Sequence, residues 1–189
     1  TLGQVRFSGA IARVWPPLLI VVRGGLELLP GTHLDGLVVM VASDTIVIRA
    51  GSRLRDAILV SARGIQVDPH VEFSGQLFAP KVTVKEGATL RYPSAAVAID
   101  NELGELMPLK MEVHSGASLE GFAAVLHTSG RSHPESQGVF SPRSRMIGII
   151  YAPSRLTLDG DVVGSVVAED LYFYLAPTHY YGWMKEGLI

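Results

Sequence analysis

A repeat of short apolar segments is the dominant feature of this sequence. Each segment begins with an aliphatic residue or Met, has an aliphatic residue two positions later, a turn residue five positions later and Leu or Phe eight positions later. The four columns are Leu26, Ile46, Ile65, Val82, Met111; Leu28, Ile48, Val67, Val84, Val113; Gly31, Gly51, His70, Gly87, Gly116; and Leu34, Leu54, Phe73, Leu90, Leu119. A fifth column, ten positions after each start, contains Gly36, Asp56, Gly75, Tyr92 and Gly121. Self-similarity at a period of about 17–20 residues is typical of a solenoid.

Apolar residues alternate with period two within each segment, which indicates strands rather than helices. A second short apolar strand follows each fifth-column residue, so each repeat consists of a strand, a turn, a second strand and a second turn. A further copy runs from Leu156 to Val166. We therefore predict an all-β fold, a parallel β-solenoid (single-stranded β-helix) of about six to seven coils with two inserted loops and a C-terminal aromatic cap. The alternative is a β-sandwich built from hairpins.

The length of 189 residues suits a single domain. Within it we expect an N-terminal cap or first coil, main coils with one insertion, a projecting loop, the last coils, and a C-terminal cap or interface segment. The corresponding ranges are 1–25, 26–126 with the insertion near 100–108, 127–146, 147–171 and 172–189.

Composition excludes several functional classes. A hydrophobic content of 48% excludes intrinsic disorder, and a net charge of −2 provides no field that would attract nucleic acid. Cysteine is absent, so disulfides and thiolate metal sites are excluded. No nucleophile elbow, phosphate-binding loop or His-Glu-x-x-His motif occurs. We therefore predict no enzyme activity, no cofactor and no metal site.

The two inserted segments contain the candidate polar sites. In the 127–146 loop, Arg131, Arg143 and Arg145 are candidates for contact with an acidic partner or a polysaccharide. The same loop contains His127 and His133, a weak metal site at best. The other insertion contains Asp100, Glu102 and Glu105 without the spacing of a calcium loop, which favours an ordinary surface loop.

Three carboxylates form the best enzyme hypothesis. Parallel β-helices can present carboxylates from neighbouring coils to a polysaccharide, and Asp35, Asp56 and Glu72 follow their coil starts at similar distances. Their offsets differ and no basic partner recurs beside them, so solvated turn residues are the favoured interpretation. A surface protein that binds or cleaves carbohydrate is the alternative function.

The C-terminal tail is unusually aromatic. A solenoid must cover its last coil, so a cap is the favoured interpretation, and an interface is the alternative because Tyr and Trp are common at binding hot spots. The candidate interface residues are Tyr172, Tyr174, Tyr180, Tyr181 and Trp183, together with the three arginines above.

Three segments resemble coils of the bactofilins, bacterial proteins whose β-helical domain polymerises without nucleotide. The segments are Val82–Leu90, Met111–Gly121 and Leu158–Ala168. The resemblance implies a structural or scaffold protein of the bacterial cell envelope, periplasmic or surface-exposed, with attachment to the cytoplasmic membrane as the alternative. It implies protein partners, either further copies or other envelope proteins, and leaves open a glycan partner and a membrane anchor outside this chain.

Overall fold

The structure of this protein, a computed structural model, describes residues 4–99, 110–126, 136–175, 178–182 and 187–188. These residues contain strands and no helix. The strands are β1 (Val5–Phe7), β2 (Ala10–Val22), β3 (Leu26–Leu28), β4 (His33–Ala42), β5 (Ile46–Ile48), β6 (Arg53–Ser61), β7 (Ile65–Val67), β8 (Glu72–Ala79), β9 (Val82–Val84), β10 (Thr89–Ile99), β11 (Met111–Val113), β12 (Ser118–Leu126), β13 (Gly138–Phe140), β14 (Arg145–Leu158), β15 (Asp161–Leu175), β16 (Thr178–Gly182) and β17 (Gly187–Leu188).

Among themselves, the described strands β1 to β15 pair only in parallel, each with the strand one coil before or after it. This pattern confirms the parallel β-solenoid and is incompatible with a sandwich of hairpins, whose neighbouring strands run antiparallel. The coil starts predicted from the sequence also stack directly on one another, because Leu26 pairs with Ile46, Ile46 with Ile65, Ile65 with Val82, and Val82 with Met111.

Each coil has three sides. The first side is a short strand such as β5, and the second and third sides are the two halves of a long strand such as β6, which bends in the middle. On each side alternate residues point inward and are almost completely buried. The inward columns of aliphatic residues and Phe form one continuous core along the axis.

The first corner, between the first and second sides, requires a left-handed backbone. Gly31, Gly51, Gly87 and Gly116 have φ between 69° and 74° there, and His70 has φ of 59°. The sequence-based assignment of these residues to one turn column is therefore confirmed. Glycine predominates because it adopts positive φ without steric cost, whereas a residue with a Cβ is strained.

The second corner, between the second and third sides, is built from closely stacked backbone. Gly121, Gly148 and Gly164 occupy the same position in successive coils, with φ between 134° and 146°. A Cβ added at Gly148 would lie 2.0 Å from the carbonyl oxygen of Gly121. Glycine is therefore required there by both backbone conformation and space.

The solenoid has about eight turns, more than the predicted six or seven. One additional coil begins at β1, which pairs with β3, so residues after Gln4 form a first coil. Another begins at β13, which pairs with β11 and with Leu156–Leu158. Residues 138–146 therefore belong to a coil and not to the predicted projecting loop; residues 100–109 and 127–135 lie outside the described residues.

The C-terminal end of the solenoid departs from the parallel pattern. Strand β16 pairs antiparallel with Leu171–Leu175 of β15, and β17 pairs antiparallel with Ser165 and Val166 of the same strand. The outer edge of the last long strand is therefore occupied along these two stretches.

Candidate functional site

The aromatic residues predicted as interface candidates lie at this C-terminal end. Tyr172 is half-buried in β15, where it is opposite Thr157 on one side and Tyr181 on the other. The backbones of Tyr174, Tyr180 and Tyr181 belong to the antiparallel pair β15–β16, while their side chains and Trp183 lie outside the described residues. Their role as an interface stays a prediction.

The two described arginines of the predicted cluster lie in a coil and not in a projecting loop. Arg143 occupies the first corner of the β13 coil with φ of 63°, as His70 does in an earlier coil. Arg145 begins β14 and is exposed on the second side. Both are fixed by the coil, whereas Arg131 lies outside the described residues.

The three carboxylates of the enzyme hypothesis lie on or beside the second side, and the structure corrects their predicted surroundings. Arg53 donates from Nε to Glu72 Oε2 at 3.0 Å, and Arg91 approaches the same oxygen at 3.9 Å from the coil on the other side. Arg55 is opposite Asp35 in the strand register. Basic residues therefore do accompany Glu72 and Asp35, although they come from neighbouring coils, where a search within one repeat does not find them.

A second charged cluster crosses four coils on the first side. Glu27, whose side chain is 8% exposed, accepts hydrogen bonds from Arg6 Nε at 3.1 Å and Arg49 Nε at 2.6 Å. Arg49 Nη1 also donates to Asp68 at 3.1 Å. The Arg49 hydrogen bond lowers the pKa of Glu27 below its ordinary value of 4.5, and the hydrogen bond to Glu27 raises the pKa of Arg49. This cluster fastens adjacent coils together.

A polar groove of about 460 Å³ lies on the first side and at the third corner, between the third side of one coil and the first side of the next. Its charged lining is largely paired internally. Lys81 Nζ is 2.6 Å from Glu112 Oε1, His114 Nε2 is 3.4 Å from Glu112 Oε2, and Arg63 is 3.8 Å from Asp44. We therefore regard the groove as a surface feature of the coil and not as the principal site.

The outward surface of the third side is apolar over all eight strands that form it, β2, β4, β6, β8, β10, β12, β14 and β15. Two outward columns follow the strand register, and neither contains a charged residue. They are Leu19, Val39, Ile58, Gln76, Ala95, Phe122, Ile149, Ser165 and Val21, Val41, Val60, Phe78, Val97, Ala124, Tyr151, Val167. We refer to these sixteen positions as the apolar face; Gln76 and Ser165 are its two polar members.

Several residues of the apolar face are exposed despite their hydrophobic side chains. Leu19 and Val21 are 63% and 67% exposed, and Ile149 is 48% exposed. Val97 and Ala124, in the middle of the second column, are buried, with exposed fractions of 6% and 1%. The exposed apolar surface on either side of them is of the kind that marks interaction sites. Sequence reasoning missed it because the repeat columns identify inward positions. The available signal was the continuous apolar run of strands such as Leu37–Ala42, which is typical of strands covered on both faces.

Among the described residues there is no group of three His, Asp or Glu side chains placed to hold a metal ion. The predicted weak candidates in the two insertions, His127, His133, Asp100, Glu102 and Glu105, lie outside those residues. The described part of the chain also contains no helix long and apolar enough to cross a membrane.

Comparisons with protein families, curated proteins and solved structures find no match to this chain. The resemblance to bactofilins therefore stays a prediction.

Proposed function

We propose that this protein is a non-enzymatic structural protein that associates with a second copy of itself through the apolar face. The observation that carries the proposal is the absence of charge from both outward columns of the third side, across all eight described strands that form it. The other two sides of the solenoid carry arginines and carboxylates, such as Arg49 and Asp68 on the first side and Arg53 and Glu72 on the second.

The size of the apolar face suits a weak dimer. Eight strands spaced about 4.8 Å apart and two columns spaced about 7 Å apart give a surface of at most roughly 34 by 14 Å, because Val97 and Ala124 within it are already buried. Two such surfaces in contact would bury at most about 1,000 Å² in total, at the lower limit for a specific interface. We therefore expect the dimer to have a dissociation constant of roughly micromolar order.

A second copy is the partner that this surface fits best. Flat sheets pack face to face at about 10 Å separation with interdigitating apolar side chains, and two identical sheets have the same strand spacing. Interfaces between identical subunits are also more apolar than interfaces between transient partners. A charged or strongly polar partner would leave its own polar groups without hydrogen bonds against this face.

The test compares two lysine substitutions at similarly exposed aliphatic residues. Ile149→Lys places a charge in the apolar face, whereas Val163→Lys places the same charge on the second side, where Val163 is 56% exposed. Sedimentation equilibrium over a concentration series should show that the wild-type chain dimerises. Ile149→Lys should raise the dissociation constant at least about a hundredfold, because an unpaired charge would be buried in both copies.

The Val163→Lys variant should dimerise as the wild type does, and circular dichroism should show that both variants keep the β fold. A wild-type chain that stays monomeric at its highest soluble concentration would contradict the proposal. An equal loss of dimer in the two variants would do so as well, because the effect would then not depend on the apolar face.

We also propose that the C-terminal segment acts as a cap. The support is the antiparallel pairing of β16 and β17 with the outer edge of β15. Deletion of the residues after Leu175 should therefore expose this edge and promote aggregation, which light scattering would measure. The wider part of the proposal, a scaffold in a bacterial cell envelope, rests on the resemblance of the coils to bactofilins.

A further inference from the structure

A cleft at the second corner arises because three successive coils differ in length there. One residue, Ser74, separates the paired positions Phe73 and Gly75 in the middle coil. The coil before it has two residues, Arg55 and Asp56, between its corresponding positions, and the coil after it has three, Arg91–Pro93. The extra residues bulge outward on both sides of the middle coil, which leaves a cleft of about 270 Å³ above Ser74.

The bulges place hydrogen-bond donors and an aromatic ring around this cleft. It is lined by Arg53, Arg55 and Arg91, together with Glu72, Ser74 and Tyr92. Arg53 and Arg91 share the Glu72 carboxylate, while Arg55 has no ion pair among the described residues. The positive charge of the arginines therefore exceeds the negative charge of the single carboxylate in the lining.

Tyr92 is 76% exposed, more than any other large hydrophobic residue among the described residues. Its backbone N–H donates to Glu120 Oε2 of the next coil at 3.3 Å, which helps to hold the bulge in place. An exposed ring on a bulge contributes nothing to the core, but offers a flat apolar surface to a ligand.

We propose that this cleft binds one residue of an acidic saccharide. Guanidinium groups form paired hydrogen bonds with a carboxylate or sulfate, and the exposed Tyr92 ring can stack on the apolar face of a sugar ring. Glu72 and the Ser74 hydroxyl can accept hydrogen bonds from sugar hydroxyls. The volume is slightly below that of pockets for drug-sized ligands, roughly 300–1,000 Å³, which suits a single sugar residue.

Glu72 and its neighbours favour a saccharide over a dense polyanion. Asp56 belongs to one flanking bulge, and Glu120 contacts the other. A polyglutamate side chain offers these carboxylates only further negative charge, which they repel. Each residue of an acidic saccharide carries hydroxyl groups beside its charge, and these can donate hydrogen bonds to the same carboxylates. This inference is independent of the proposed dimerisation, because the cleft lies outside the apolar face.

The test measures binding by isothermal titration calorimetry at low ionic strength. The probes are trigalacturonic acid, a sulfated trisaccharide, neutral galactotriose and a hexaglutamate peptide. We expect at least one acidic trisaccharide to bind, with detectably weaker binding of galactotriose and of hexaglutamate. Binding should weaken as salt is added, because the arginines are exposed.

Three variants locate the site. Arg55→Ala should weaken binding about tenfold, and Tyr92→Ala about fivefold, since one removes a charged donor and the other a stacking surface. Arg63→Ala is the matched control, because Arg63 is an exposed arginine at a different corner, with its side chain 65% exposed. It should leave binding unchanged.

Three outcomes would overturn the proposal. The first is that neither acidic trisaccharide binds at millimolar concentration. The second is that hexaglutamate binds as tightly as the trisaccharides, which would identify an acidic peptide as the ligand class. The third is that binding occurs but Arg55→Ala and Tyr92→Ala affect it no more than Arg63→Ala does, which would place the site elsewhere.

Discussion

Two glycine-to-alanine substitutions should differ greatly in their effect on stability, although both glycines lie at corners of the coil. Gly51 has φ of 72° and no atom within 4 Å of an added Cβ, so Gly51→Ala introduces only backbone strain. A left-handed conformation costs a residue with a Cβ about 1–2 kcal/mol. Gly148 has φ of 134°, which is almost exclusively a glycine conformation and by itself costs up to about 3 kcal/mol.

Steric overlap adds to this strain at Gly148. The new Cβ would lie 2.0 Å from the Gly121 carbonyl oxygen, while real Cβ atoms essentially never come within 3.0 Å of a heavy atom from elsewhere in the chain. One of the two stacked backbones must therefore move by about 1 Å inside a close-packed corner. We expect Gly148→Ala to lower the free energy of unfolding by more than about 4 kcal/mol, a range that only severe core defects reach.

Thermal unfolding followed by circular dichroism would measure the difference. For a chain of this size, 1 kcal/mol corresponds to about 2–4 °C in Tm. Gly148→Ala should therefore lower Tm by at least about 8 °C, and Gly51→Ala by clearly less. Equal shifts for the two variants would refute the argument, because it attributes the excess at Gly148 to the stacked backbone of the second corner.

Two further substitutions test the ion-pair cluster and the core. Because Arg49 and Arg6 hold the pKa of Glu27 below 4.5, the ionised carboxylate stabilises the fold above that pH, and this stabilisation is lost as the pH falls through the lowered pKa. The urea midpoint of Glu27→Gln should therefore lie below that of the wild type at neutral pH and approach it in acid, whereas a pH-independent difference would contradict this reasoning. Phe73 is 1% exposed in the core, so Phe73→Ala should lower the free energy of unfolding, measured by urea denaturation, by about 3–5 kcal/mol. A loss below about 1 kcal/mol would contradict this and show that the coil collapses around the cavity.

The inward part of the fold could be predicted from the sequence because it repeats. Every inward position of a solenoid meets the same position of the next coil, so residue type recurs at a fixed offset. This is why the column that contains His70 was recognised as a turn column: four glycines share its offset, and His70 adopts their left-handed conformation.

Coils with atypical residues at these offsets were missed. The β13 coil begins with a glycine and has Arg143 at its first corner, so neither position matches the repeat, although the backbone conformation is the same. At the second corner Tyr92 was assigned to the glycine column, but the bulge displaces it and Ser94 pairs with Gly75 and Gly121. Bulges change the register without changing the composition, so periodicity alone does not locate them.

The candidate sites were harder to predict than the core, for a physical reason. The apolar face and the cleft consist of residues that are neighbours only across coils, such as Arg53, Glu72 and Arg91, which are separated by 19 residues along the chain in each step. Their side chains point outward, where no packing requirement imposes a repeated residue type. Their proximity therefore follows only from the strand register.

The antiparallel strands at the C-terminal end restrict how the solenoid could grow by end-to-end pairing. A solenoid grows into a filament when the free edge of its last coil pairs with the first coil of another copy. Here Leu171–Leu175 already pair with β16, and Ser165 and Val166 with β17. The backbone of another copy therefore cannot form hydrogen bonds with these stretches. The proposed contact between two third sides is instead symmetric and uses the same surface on both copies, so it would be complete at two. This association would produce a particle of fixed mass, and the measured mass would reach a plateau as concentration rises, in place of an open-ended fibre.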